Sequence, residues 1–347
     1  MNELQNILEE SVTRLFAERV DRKFLAAAEE SAWSAELWTL AEEQGFTRVL
    51  LAEGNDGMGA GWTEAYAVVR ACGRYAVPLP IPEQSVALWL CERAGVTPPP
   101  GFIGLLPQVL VAGASGQFSD TVKRVPWGRE AAAFVGVTNE GQLVLFDTTH
   151  VRITEEQNLA REPRDTVTLE DAKPVATGAL DLKIDCVRWL GALLRAAQIA
   201  GAAAACLEMS VRYTSEREQF GRALSQFQAI QHHLAELAGA MTSIDTMARA
   251  AFQAVDARGL AAGTGRDAGF EIAAAKCRAS DAVEMLTRLA HQVHGAIGFT
   301  YEYDLQFLTR RLWSWRAEFG ASGEWGEQLG RAAAYLGGDR LWGLVAS

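Results

Sequence analysis

Three stretches in the second half of the chain, near 185–214, 226–258 and 267–294, are rich in Ala and Leu, and each runs for about 30 residues. Helices of that length with one apolar face pack side by side, so a helical bundle over 184–347 is the first expectation. Shorter helices near 303–318 and 325–336 would complete it, with loops at 216–225 and 258–265 between the long ones.

The start of the chain is helical too. Leu4, Ile7, Leu8, Val12, Leu15, Phe16 and Val20 recur at three- and four-residue spacing, which marks one buried helix face. Further helices are expected over 33–43, stopped by Gly45, and over 62–75 and 84–94, with Pro78, Pro80 and Pro82 between the last two. The text changes at Pro98-Pro99-Pro100-Gly101, which reads as a linker. Beyond it lie short β-prone runs at 109–112, 133–137, 143–146, 151–153 and 166–169, with Asn139-Glu140-Gly141 as a hairpin turn. The expected fold is therefore mainly α with a small β domain. A helical domain spans 1–97, a shortened middle β domain 98–183, and a four-helix bundle 184–347. Two or three domains also suit a chain of 347 residues.

Charge narrows the function. A net charge of -11 argues against a nucleic-acid partner, which needs a basic face. A nucleotide cofactor needs only one or two local arginines. No apolar run reaches the roughly 20 residues of a membrane span, and the opening Met1-Asn2-Glu3-Leu4-Gln5 has no signal-peptide character. Cys72, Cys91, Cys186, Cys206 and Cys277 are odd in number and form no CxxC pair, which suits free thiols in the cytoplasm.

The most informative segment is Tyr213-Thr214-Ser215-Glu216-Arg217-Glu218-Gln219-Phe220-Gly221-Arg222, followed by Ser225-Gln226-Phe227-Gln228-Ala229-Ile230-Gln231-His232-His233-Leu234. Between two long helices it offers a guanidinium for a pyrophosphate and a flat ring for a base. The plainer reading is a capped turn with a surface arginine.

The run from Arg217 to Leu234 closely resembles a signature of the acyl-CoA dehydrogenases, R-x-Q-F-G-R…F-Q-x-I-Q. Downstream, His291-Gln292-Val293-His294-Gly295-Ala296-Ile297-Gly298-Phe299-Thr300-Tyr301-Glu302-Tyr303 resembles that family's Q-x-x-G-G-x-G-[FY]-[TS]-x-E segment. Gly45-Phe46 through Gly57-Met58-Gly59 is similar to a third passage near the amino terminus. The resemblance implies FAD as cofactor, an acyl-CoA substrate, α,β-dehydrogenation and an electron-accepting flavoprotein. It implies that Arg217 contacts the FAD pyrophosphate, Gln219 bonds near it, and Phe220 packs beside the adenine. Gln228 would lie near the adenosine end, and Gln292, Gly295 and Ala296 against the same half of the cofactor, reached across a subunit interface. Ala296 stands where the family has a second glycine.

Two family features are absent. Nothing between Pro100 and Leu182 resembles the T-E-P-x-A-G-S-D stretch that holds the flavin ring; the nearest text is Val111-Ala112-Gly113-Ala114-Ser115-Gly116. The family's catalytic Glu falls on Phe319, one residue after Glu318, and its alternative position falls near Gly191. Dehydrogenation needs a carboxylate to take the α-proton. The chain thus resembles the short subunit of heteromeric acyl-CoA dehydrogenases acting on steroid side-chain CoA thioesters. There a longer partner supplies the base, in an α2β2-like assembly. The rival expectations are a self-sufficient homo-oligomer using Glu318, a non-catalytic scaffold, and a flavin monooxygenase on the same fold.

Weaker signals point elsewhere than chemistry. Gly263-Thr264-Gly265-Arg266-Asp267-Ala268-Gly269 follows no strand and reads as a helix connection. His232-His233 and His291/His294 lack further ligands at metal spacing, so no metal is expected. Trp313 and Trp315 read as core or interface anchors, and no Ser-His-Asp set or nucleophile elbow is present.

Overall fold

The computed structural model describes residues 3–30, 33–261 and 267–345. Five helices come first: α1 (Glu3–Arg19), α2 (Arg22–Ala28), α3 (Ala35–Glu43), α4 (Trp62–Arg74) and α5 (Ile81–Arg93). Gly45, with φ +75°, lets the chain leave α3 in the left-handed conformation. Pro82 falls in the first turn of α5, where its missing N–H costs nothing, so that helix starts before Gln84.

Seven strands follow: β1 (Ile103–Leu110), β2 (Thr121–Pro126), β3 (Ala133–Thr138), β4 (Gln142–Phe146), β5 (Val151–Thr154), β6 (Arg164–Leu169) and β7 (Ala176–Ala179). They form a four-stranded sheet in the order β1-β3-β4-β7 and a three-stranded sheet in the order β2-β6-β5. Only β1 and β3 pair in parallel; every other pair in these two sheets is antiparallel. The turn expected at Asn139-Glu140-Gly141 joins β3 to β4, with Gly141 at φ +77°. Pro107 interrupts β1, where the register shifts between Leu105 and Val109 because proline offers no N–H.

The rest is helical: α6 (Cys186–Glu216), α7 (Gln228–Arg258), α8 (Gly269–His294), α9 (Leu305–Trp315), α10 (Ser322–Leu336) and α11 (Gly338–Val345). The loop expected between α6 and α7 holds a two-residue hairpin, β8 (Glu218–Gln219) and β9 (Arg222–Ala223). The Gly263–Arg266 stretch lies outside the described residues. This is the expected order, helices, then sheet, then bundle.

α6 is the axis of the bundle. By length and composition it is apolar enough to cross a membrane, contrary to the sequence reading, yet 89% of its most apolar window is buried inside the protein. It packs against α4 without side chains between. A Cβ on Gly73 would lie 2.0 Å from the Gln198 carbonyl, and one on Gly201 would lie 2.0 Å from the Arg70 carbonyl. Asp256 on α7 adds a cap to α4, accepting from the backbone N–H of Trp62 and of Thr63 at 2.7 Å each. Cys72, Cys91, Cys186 and Cys206 are buried and Cys277 partly so, all unpaired.

Candidate active site and nucleotide groove

α6 and α8 finish at the same end of the bundle, tied by rings. Tyr213 stacks on His294 at 4.8 Å between centroids, and Tyr303 closes on both at 6.0 and 5.0 Å. Arg217 caps α6 one turn past Tyr213, its N–H bonded to the Tyr213 carbonyl at 2.9 Å. Its side chain is exposed and, among the described residues, unpaired. Gln292 and Gly295 flank His294. The two motifs that lie far apart in sequence therefore meet on one end of the molecule.

The hairpin after Arg217 displays its side chains. Phe220, at φ +53°, is 92% exposed and meets Phe227 edge-on at 6.2 Å. Gln219 is exposed, its amide donating to the Glu218 carbonyl at 2.8 Å. Gln228 is the exposed first residue of α7, and Ala296 is exposed in the short 3-10 turn after α8. A groove of about 840 Å³ is lined by residues of α8, the turn after it and α9, Gln292 and Gly295 among them. A guanidinium unpaired among the described residues, exposed amides and an exposed ring at the end of the bundle where Gln292 and Gly295 line a groove are groups that fit the nucleotide half of a flavin. Of the four histidines weighed as ligands, His294 stacks on Tyr213 and His291 on Phe299 at 4.1 Å.

The second region lies where α5, the sheets and the bundle meet. Glu318, just beyond α9, accepts from Arg164 Nε at 2.8 Å, Arg195 Nε at 2.7 Å and Asn158 Nδ2 at 3.1 Å. Arg195 also reaches Glu83 on α5 at 2.7 Å. Arg164 binds Glu162 at 2.8 Å, which in turn binds Arg311 at 3.0 Å and the Trp315 indole at 3.1 Å. Three carboxylates and three guanidiniums thus neutralise one another in the interior, every one of them at most 8% exposed. Burial alone would raise the Glu318 pKa, but Arg164 and Arg195 outweigh it and hold the carboxyl at about 2. A carboxylate so weakly basic, with both oxygens committed, is poorly suited to take an α-proton. Both oxygens of Glu318, the expected candidate base, are thus held in ion pairs with Arg164 and Arg195.

Phe319 completes the region. It sits at φ +56°, with its ring so close to Gly191 that a Cβ there would fall 2.2 Å from Cδ1. Phe319 and Gly191, on and near which the family's two base positions were expected to fall, are thus in direct contact. Lys276 fixes this loop, donating to the carbonyls of Arg316 and Gly320 at 2.9 Å each and to Ser280 Oγ at 2.7 Å. A cleft of about 500 Å³ between the β domain and the bundle has Glu318 and Phe319 in its wall. Val111–Gly116, the nearest text to the missing flavin-ring motif, forms an exposed turn after β1.

Comparison with known proteins decides the family. Residues 2–95 match the acyl-CoA dehydrogenase N-terminal domain and residues 190–333 the acyl-CoA dehydrogenase C-terminal domain, together over two-thirds of the chain. The chain belongs to the acyl-CoA dehydrogenase family. It is an FAD-dependent oxidoreductase of that family, with the helical, β and helical parts of its fold. Acyl-CoA dehydrogenase IpdE2 of Mycolicibacterium smegmatis is 28% identical over 319 residues, covering 90% of this chain and 93% of the relative. The ChsE4-ChsE5 complex from Mycobacterium tuberculosis contains a chain with TM-score 0.85 at 20% identity, covering 95% of this chain and 97% of that one. A steroid acyl-CoA dehydrogenase, Tcur3481-Tcur3483 in its G363A variant, gives TM-score 0.85 at 21% identity, with 99% of each chain covered.

The buried charge cluster went unforeseen, because its members stand 2 to 235 residues apart in the sequence. One signal was present: Arg195 is the single charge between Gly191 and Leu207, on a helix otherwise fit for a core.

Proposed function

We propose that this chain is the base-less subunit of a two-component FAD-dependent acyl-CoA dehydrogenase, completing the cofactor site of a longer partner in an α2β2-like assembly. The observation that carries the reading is the closure of its own base position. Glu318 is spent on two arginines, and Phe319 lies against Gly191. What remains open is the other end, where Arg217, Gln219, Phe220, Gln228, Gln292, Gly295 and Ala296 all face solvent. In this reading Arg217 neutralises the cofactor pyrophosphate, the amides of Gln219 and Gln292 orient it, and Phe220 covers the adenine edge. The bound flavin supplies the hydride acceptor, and the partner supplies the proton acceptor.

The substrate class we favour is a steroid side-chain CoA thioester, supported by the likeness to a steroid acyl-CoA dehydrogenase and to the ChsE4-ChsE5 complex. An electron-accepting flavoprotein would reoxidise the cofactor. Five unpaired cysteines suit a cytoplasmic setting. The same reading keeps 1–97, 98–183 and 184–347 as the working units.

Co-expression with a longer homologue tests the proposal. The chain alone should purify colourless, and the pair should purify yellow and turn over acyl-CoA. Arg217→Ala in the pair should abolish both flavin and turnover. An active, flavin-loaded homo-oligomer of this chain would overturn the proposal.

A further inference from the structure

The cleft between the β domain and the bundle carries a charge imbalance that neither the buried ion cluster nor the flavin groups account for. β2 has one residue more than its partner there. Val122 pairs with Val167 and Val125 with Asp165, so three steps on β2 answer two on β6, which is a bulge. In a regular strand neighbouring side chains point to opposite faces. Here Val122 and Val125 are both buried, while Lys123 and Arg124 between them are both exposed and both line the cleft. Arg124 sits at φ +59°, a left-handed conformation that a residue with a Cβ holds only under strain. Among the described residues neither side chain has an ion pair or a hydrogen-bond partner. The other charges on the cleft are matched: Glu318 by Arg164 and Arg195, and Glu324 by Arg188 at 2.9 Å. Two cations therefore lack a counter-charge, on a chain whose net charge is -11. Unpaired like charges side by side repel and do not stabilise a fold, so backbone strain that displays them together points to a ligand.

We propose that Lys123 and Arg124 bind a phosphomonoester in this cleft. A phosphate ester carries about 1.5 to 2 negative charges near pH 7, which matches the two uncompensated cations. Arginine grips two phosphate oxygens through its planar fork, and lysine adds a point charge. The cleft, at about 500 Å³, is roomier than a bare phosphate needs, and Pro107 and Phe319 give it apolar wall for an organic body. The site is separate from the flavin groups. Arg188 stands in the first turn of α6 and Arg217 caps its last, which sets them roughly 40 Å apart at 1.5 Å per helical residue. The proposal thus stands whether or not the chain is a base-less subunit. An acidic side chain of a partner protein is the rival occupant.

The test follows the Tm of the full-length chain, with AMP affinity read by calorimetry, against adenosine, inorganic phosphate and sodium chloride at matched ionic strength. AMP should raise Tm and bind more tightly than inorganic phosphate, while adenosine and salt should do neither. Lys123→Gln, at an exposed side chain, and Arg124→Gly, which suits the left-handed backbone, should each weaken AMP about tenfold. The ligand-free Tm of Arg124→Gly should stay level or rise, and Arg217→Ala should keep the AMP shift. An AMP shift that survives both cleft variants, vanishes in Arg217→Ala, or is matched by adenosine or by salt overturns the site. A lower ligand-free Tm in Arg124→Gly would mean that the arginine serves the fold, and equal affinity for AMP and inorganic phosphate would remove the organic ester; either overturns the proposal. Release of a longer homologue from a co-purified assembly by Lys123→Gln or Arg124→Gly, with no AMP shift in the parent chain, would show that the two cations pair with protein, and would equally overturn it.

Discussion

At the scale of single residues, Glu318 is a carboxylate near the expected base position whose two oxygens are both taken by arginines. Its surroundings were chosen by Arg164 and Arg195, which the sequence places 154 and 123 residues away. Removing one partner from a buried ion pair leaves uncompensated charge and typically costs about 3–5 kcal/mol. Glu318→Gln should therefore lower unfolding free energy by about that much in a urea titration, with turnover per folded assembly unchanged. A large drop in turnover without loss of stability would restore the base role. The same carboxyl sets an acid limit. Its folded pKa, about 2, lies below the ordinary 4.5, so its stabilising contribution is fully present above pH 4.5 and is lost as pH falls towards 2. Unfolding free energy should decline across that window by about 3 kcal/mol on this account, and Glu318→Gln should flatten the decline.

At the scale of elements, periodicity made the long helices legible and charge hid the short pieces. α6, α7 and α8 begin and end within three residues of their expected limits, because one-sided apolar text of that length has few other uses. β2 was not foreseen: Lys123 and Arg124 interrupt its apolar alternation, and its pairing with β6 slips between Val122 and Val125. α2 is seven residues and α11 eight, too short for a periodic signal to stand out. The helix crossing of α4 on α6 was equally invisible, since Gly73 and Gly201 look like defects in isolation. In the structure they are what lets two backbones touch. Gly201→Val should push the helices apart and cost about 3 kcal/mol, the upper part of the range for overpacking, read as a lower urea midpoint. Gly239, also inside a long helix but with open space where a Cβ would go, provides the control, and Gly239→Ala should be neutral or slightly stabilising.

At the scale of the whole molecule, the two ends of the bundle have opposite characters. One end is clamped: the cluster of Glu83, Glu162, Glu318, Arg164, Arg195 and Arg311 ties α5, the sheet region and the bundle to one another beside the cleft of about 500 Å³, and Lys276 pins the loop that carries Phe319. The other is open, with an unpaired arginine, exposed amides and a groove. On the proposed reading, such a chain lends its open end to a cofactor held mainly by its partner, while at the other end Phe319 packs against Gly191. The number of flavins should then follow the number of partner chains rather than the total number of chains. In a purified assembly containing equal amounts of this chain and the longer subunit, flavin absorbance set against protein should give one FAD for every two polypeptides. One FAD per polypeptide would mean that this chain also houses a flavin ring, which the Phe319–Gly191 contact and the Glu318 ion pairs argue against.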